Sequence, residues 1–165
     1  MHTRQLTSQE QSEFKSYSSL GRELLQLDPK LIDPTQIVEC IENYILKHQK
    51  EKPSFLAKLL NSKPNTTRPA LALGSLWGDQ LIQKFGWSWT CAVSSDGVDF
   101  YCVVPSDRSF AIFPTYFVKG CLDNKDVDCT IMLAWNMLEQ GNIPTLPAEG
   151  LENLMNGIHR IVPRE

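Results

Sequence analysis

Few residues in this chain have the chemistry of a catalytic base. Histidine occurs as His2, His48 and His159. His2 stands at a terminus, His48 in a polar stretch and His159 beside Arg160, so surface positions are expected for all three. The nucleophile candidates are Cys40, Cys91, Cys102, Cys121 and Cys129. They form no C-x-x-C pair and have no histidine at zinc-ligand spacing, and an odd count does not suit a disulfide framework. One cysteine-dependent site can still be drawn, from Cys121, His159 and a carboxylate, because catalytic partners need only meet in space.

Two further stretches resemble motifs without completing them. Asp123-Asn124-Lys125-Asp126-Val127-Asp128 has the acidic alternation of half a calcium loop. It lacks the mid-loop glycine and the terminal glutamate, so a solvated turn that caps a helix is expected. Gly74-Ser75-Leu76-Trp77-Gly78 fits neither G-x-S-x-G nor a phosphate loop. It reads as a helix face where another group packs closely. No metal and no cofactor are expected.

Binding chemistry remains. Asp96, Asp99 and Asp107 fall on or beside predicted turns. Together they would make an acidic rim that steers a basic partner and speeds association. An aromatic anchor at the centre of such a rim would be Tyr101 or Tyr116. Asp99 and Tyr101 are expected on the strand face opposite Phe100 and Cys102, and therefore to point outwards.

The elements that must position these residues follow from periodicity and caps. Thr7 and Glu10 form a capping-box pattern, and Asp33-Pro34 is a second helix start. Ile37, Val38, Ile41, Tyr44 and Ile45 then recur at helical spacing. Residues 50–69 hold Pro53, Pro64 and Pro69 among lysines and read as a link, with a short helix over Ser54–Leu60. A third helix is predicted over about Ala70–Phe85, ending at Gly86. Its glycines, Gly74 and Gly78, lie on the buried face and are expected to receive a tryptophan from the following sheet.

The period then changes to two. Trp87, Trp89, Cys91 and Val93 share one strand face, and Ser94-Ser95-Asp96-Gly97 turns the chain into Val98–Val104. Counting back from that turn pairs Val93 with Val98, Cys91 with Phe100 and Trp89 with Cys102. Ser109–Phe113 is predicted as the third strand of a meander. Pro114 opens a helix to about Leu122, Asp126 or Asp128 caps another, and a last helix is expected over Leu151–Ile161.

The expected fold class is α+β: N-terminal helices, a three-stranded antiparallel meander, and C-terminal helices packed on the sheet. With 165 residues, one domain is expected. It comprises a helical part (1–50), the link (50–69), a helix with the meander (70–122) and the C-terminal helices (123–165). Sixteen Lys and Arg against nineteen Asp and Glu leave a net charge of −3. That balance argues against a nucleic-acid partner. Met1–Leu20 is polar, without the apolar core of a secretory signal, and no apolar run reaches the ~20 residues that span a bilayer. A cytoplasmic location without membrane contact is expected.

Leu73-Gly74-Ser75-Leu76-Trp77-Gly78, Phe85-Gly86-Trp87-Ser88-Trp89, Val103-Val104-Pro105 and Phe113-Pro114 together resemble a family of small bacterial domains. These show an L-G-x-x-x-G helix, a G-x-x-W approach to a strand, and a later strand ending in Phe-Pro. The likeness spans about residues 70–122, and it carries over no catalytic residue. Such domains resemble immunity-type proteins that accompany bacterial toxins. The resemblance implies a non-catalytic protein that neutralises a cognate toxin, one with a basic surface, by direct binding. The alternatives are an adaptor or chaperone for a secreted effector, and the small cysteine-dependent enzyme sketched above.

Overall fold

The computed structural model describes residues 2–51 and 65–158. The helix expected over Ser54–Leu60, and His159, lie outside them. The described chain runs β1 (His2–Arg4), α1 (Ser8–Leu24), α2 (Pro34–Lys50), α3 (Thr67–Phe85), β2 (Ser88–Val93), β3 (Asp99–Val104), β4 (Phe110–Ala111), α4 (Pro114–Asp123), α5 (Ile131–Glu139), β5 (Glu152–Asn153) and a 3₁₀ turn, Leu154–Gly157. It is an α+β fold with a three-stranded antiparallel sheet and helices before and after it.

Local chemistry accounts for most boundaries. At α1 the Thr7 hydroxyl accepts from the Glu10 amide while the Glu10 carboxylate accepts from the Thr7 amide at 2.7 Å, a complete capping box. Asp33 accepts from Thr35 N at 3.2 Å to start α2, with Pro34 in the first turn. Helix α3 stops where Gly86 takes φ 69°, a left-handed conformation that costs glycine little. Pro114 opens α4 as expected.

The largest core gathers Ile37, Ile41 and Ile45 of α2, Leu73, Trp77 and Leu81 of α3, and Ile131 and Trp135 of α5. Each is almost wholly withdrawn from water, and burying a side chain of that size contributes roughly 1.5–3 kcal/mol. Three glycines let the elements of α3 close up. A Cβ on Gly21 would lie 2.6 Å from the Ala72 carbonyl oxygen, so α1 and α3 approach backbone to backbone there. A Cβ on Gly74 would lie 2.5 Å from Thr115 Cα in α4. The third, Gly78, receives the indole of Trp89, the tryptophan contact its position predicts.

The sheet differs from expectation in its third strand. Its order is β1-β2-β3, so the added strand is His2–Arg4 at the N-terminus, paired antiparallel with Cys91–Val93. Phe110–Ala111 instead pairs in parallel with β5, and touches β3 through a single bridge between Val103 and Ile112. The expected C-terminal helix is replaced over residues 152–157 by β5 and the 3₁₀ turn. Register is the second correction. Val93 faces Asp99, Cys91 faces Tyr101 and Trp89 faces Val103, one residue away from the counted pairing. The reason is the turn. Ser94 and Val98 form the closing pair, with Ser94 N donating to Val98 O at 3.0 Å and Val98 N to Ser94 Oγ at 3.0 Å. That leaves a three-residue loop with Gly97 at φ 80°.

A third correction concerns α5. Neither Asp126 nor Asp128 caps it; the residue before the helix is Thr130, which makes no side-chain cap bond. The donor at Met132 N is met at 2.7 Å by Glu42 Oε2, reaching across from α2. A carboxylate there also faces the positive end of the helix dipole.

A candidate protein-binding face at the hairpin end of the sheet

Tyr116 sits in the first turn of α4, immediately after the Phe113-Pro114 corner. Its ring packs on Phe100 of β3 (centroids 5.7 Å apart) and on Phe113 (6.5 Å, edge-on). Its hydroxyl donates to the Asp99 carbonyl at 3.4 Å. The side chain is nevertheless 47 % exposed. Phe100 and Phe113, on which Tyr116 packs, lie in turn against the buried cluster of Ala92, Cys102, Val104 and Ala111, and Val98, 46 % exposed, stands just before β3. Partial burial, with Cys91 and Asp99 nearby, raises the Tyr116 phenol above its ordinary pKa, so the hydroxyl stays a neutral donor.

Asp96 stands at the hairpin tip and is exposed. The Ser94 hydroxyl donates to it at 2.5 Å, which holds its carboxyl below the usual range and keeps the charge fixed.

Asp99 and Tyr101 are not free to point outwards. The register shift places them on the face covered by α1, with Trp89, Cys91 and Val93. Arg4 Nη2 binds Asp99 Oδ2 at 2.6 Å and Glu10 Oε1 at 2.8 Å, and the Tyr101 hydroxyl donates to the same Glu10 oxygen at 2.7 Å. The Tyr101 ring stands edge-on to Phe14 at 5.3 Å. The bond to Glu10, with burial second, pushes the Tyr101 pKa up to about 12. Bonds from Arg4, the Thr7 amide and Tyr101 hold the Glu10 carboxyl well below the carboxylate range. This network fastens β1 and α1 to the sheet; Asp99 keeps part of its side chain in water.

Asp107 is exposed, and its carboxylate is committed to its own turn, accepting from Ser109 N at 3.1 Å and Ser109 Oγ at 3.0 Å. Of the five residues read from sequence as a binding set, Asp96 stays exposed at the hairpin tip and Tyr116 exposed at the start of α4, whereas Asp99 meets Tyr116 only through its backbone carbonyl and turns its carboxylate to Arg4 on the other face. Tyr101 lies on that other face too. Phe100 and Phe113 carry Tyr116, and with Val98 they were legible only as strand residues.

The cysteines are free thiols. Cys121 lies fully buried in the main core, and the histidine paired with it in the sequence reading, His159, lies outside the described residues. Among the described residues no group of three His, Cys, Asp or Glu side chains is placed to hold a metal ion, and no helix is long and apolar enough to cross a membrane. No protein-family model matches the chain, and no curated protein or solved structure matches it either.

Proposed function

We propose that this is a non-catalytic binding protein, a cytoplasmic immunity protein that neutralises a cognate bacterial toxin by direct contact through the Tyr116 face. The observation that carries the reading is the exposure of Tyr116 on a packed aromatic base, with Val98 and the fixed charge of Asp96 exposed in the hairpin that leads into β3. A tyrosine held on two other rings has little entropy left to lose on binding, and such residues dominate interface energies. The exposed Asp96 carboxylate supplies attraction to a basic partner and a faster encounter at low salt. The family-like motifs around Gly74, Trp89 and Phe113-Pro114 point to the same class.

The test is capture of the partner by the tagged full chain from its own cells, followed by co-expression. A stoichiometric partner that is toxic alone and harmless with this chain is the expected result. Tyr116→Ala is expected to weaken that complex by about 2 kcal/mol or more, roughly thirtyfold. Asp96→Lys is expected to slow association at low salt. Asp99 is a poor probe of the surface, because its replacement also removes the Arg4 ion pair. A non-toxic partner delivered intact would make the protein an adaptor. Full protection by the Tyr116→Ala, Asp96→Lys double variant would show that this face is the wrong one.

A further inference from the structure

The aromatic face continues round α4 into an open groove of about 600 Å³ between that helix, residues 126–130 and the 3₁₀ turn. We infer that this groove is the seat for an arginine side chain presented by the protein partner. The inference rests on the binding reading above and names the chemistry of the partner's segment.

Three features select a guanidinium. Tyr116 and Phe117 are among the residues that line the groove, and a cation over an aromatic face is attracted to the ring's negative quadrupole. Asp126 and Asp128 line it as well, both exposed and neither ion-paired among the described residues. A planar, forked donor can bond a carboxylate with two parallel N–H groups and stack on a ring at once, which an ammonium cannot do. Val127 offers apolar surface to the aliphatic stem.

Two lysines adjoin groove residues in the sequence, and among the described residues each makes a contact of its own. Lys119, next to Gly120 on α4, is drawn to Asp123 at 2.6 Å. Lys125, next to Asp126, bonds the Glu51 carbonyl oxygen. Space is available as well, since a Cβ built on Gly120 meets nothing within 4 Å. The volume is within the range of ordinary small-ligand pockets. It holds one long side chain with its flanking backbone.

The experiment titrates the full-length ¹⁵N-labelled protein with a blocked pentapeptide, acetyl-Gly-Leu-Arg-Leu-Gly-amide. The same peptide with citrulline, the neutral isostere, replaces it in the control. Saturable shifts at the amides of Gly120, Val127 and Asn156 are expected with arginine, weakened about tenfold or more with citrulline. Asp126→Asn combined with Asp128→Asn is expected to lose the shifts in a protein whose circular dichroism is unchanged, since both side chains are exposed. Equal binding of citrulline, equal binding by the double variant, or no shift at these amides overturns the inference. Binding that appears only when the chain is cut after Ile158 also overturns it, and gives the groove to residues 159–165. The two readings fail separately. Loss of partner binding in Tyr116→Ala with no peptide binding removes the arginine seat alone; peptide binding without any toxic partner removes the immunity reading alone.

Discussion

The indole of Trp89 lies directly on Gly78, so that a Cβ at residue 78 would come within 2.0 Å of Trp89 Cζ2. The ring cannot retreat. Its Nε1–H donates to Asp79 Oδ1 at 3.1 Å, and Phe14 packs on it at 4.3 Å between centroids. Gly78→Ala therefore sets two effects against each other. Alanine gains about 1 kcal/mol of helix propensity over glycine, while overpacking a rigid contact costs about 1–3 kcal/mol or more. With the indole pinned on two sides the steric term wins. A net loss near 2 kcal/mol is expected in urea unfolding. A Trp89→Leu change in the same chain should recover part of the loss that Gly78→Ala inflicts beyond the cost of Trp89→Leu alone.

The Arg4–Glu10–Tyr101 network makes stability fall in acid. Glu10 has its folded pKa depressed, chiefly by Arg4, whereas the unfolded value is about 4.3. Its contribution is thus complete above about pH 4.3 and is lost as pH falls through the folded value. Glu10→Gln is expected to be less stable than the parent at pH 7, by about 1–2 kcal/mol after allowing for the solvent around Arg4. The difference between the two should shrink as pH falls below about 4.3. The same variant removes the main cause of the raised Tyr101 pKa. Ultraviolet titration should show one phenol ionising near 12 in the parent and moving towards the ordinary value of about 10 in the variant. A pH-independent difference and an unmoved phenol would mean the network does not persist in solution.

Legibility from sequence followed the range of the interaction. The Thr7–Glu10 box, the Asp33-Pro34 start, the Gly86 stop and the Phe113-Pro114 corner each depend on residues within a few positions, and each forms as read. Of the two glycines on the buried face of α3, Gly78 receives the expected tryptophan, whereas Gly74 takes the backbone of Thr115 in α4, a contact that depends on how a later helix packs. The hairpin register did not follow from the pattern. Apolar residues occupy both faces of β2 and β3, so hydrophobicity cannot fix the pairing, and the Ser94–Val98 closure decides it. That one-residue difference turns Tyr101 from a surface anchor into a partner of Glu10. β1 was invisible because three residues, His-Thr-Arg, carry no alternation; their pairing is supplied by β2, far along the chain. In the candidate face, Tyr116 and Asp96 could be named from composition and turn chemistry. The packing of Tyr116 on Phe100 could not, since it needs α4 laid across the end of β3.

Glu42 gives a test of a long-range cap. It is a buried carboxylate on α2, and it accepts from Met132 N in the first turn of α5. A hydrogen bond to a charged acceptor is worth about 1.5–3 kcal/mol, and loss of one partner strands the other. Glu42→Ala is expected to lower stability by at least that amount. Glu42→Gln keeps an acceptor and should cost less. Amide exchange would localise the effect: faster exchange at Met132 than in α3 is the expected signature, and uniform acceleration would mean that Glu42 acts on the whole core instead.

Thiol reactivity separates the binding reading from a cysteine-dependent one. Cys40 is half-buried on α2, whereas Cys91, Cys102, Cys121 and Cys129 are all buried. Burial raises the Cys91 thiol and pushes Cys102 up to about 12. A hydrogen bond with the Cys121 thiol, reinforced by burial, raises Cys129 as well. A nucleophilic cysteine needs the reverse, an accessible thiolate at neutral pH. At pH 7.5 iodoacetamide is therefore expected to label Cys40 first. The four buried thiols should react at the rate of local or global opening, and all five equally fast in urea. Mass mapping of the labelled peptides identifies the order. If Cys121 were labelled in the folded protein ahead of Cys40, its core position would not describe the molecule in solution, and a Cys121-centred enzyme would become the better reading.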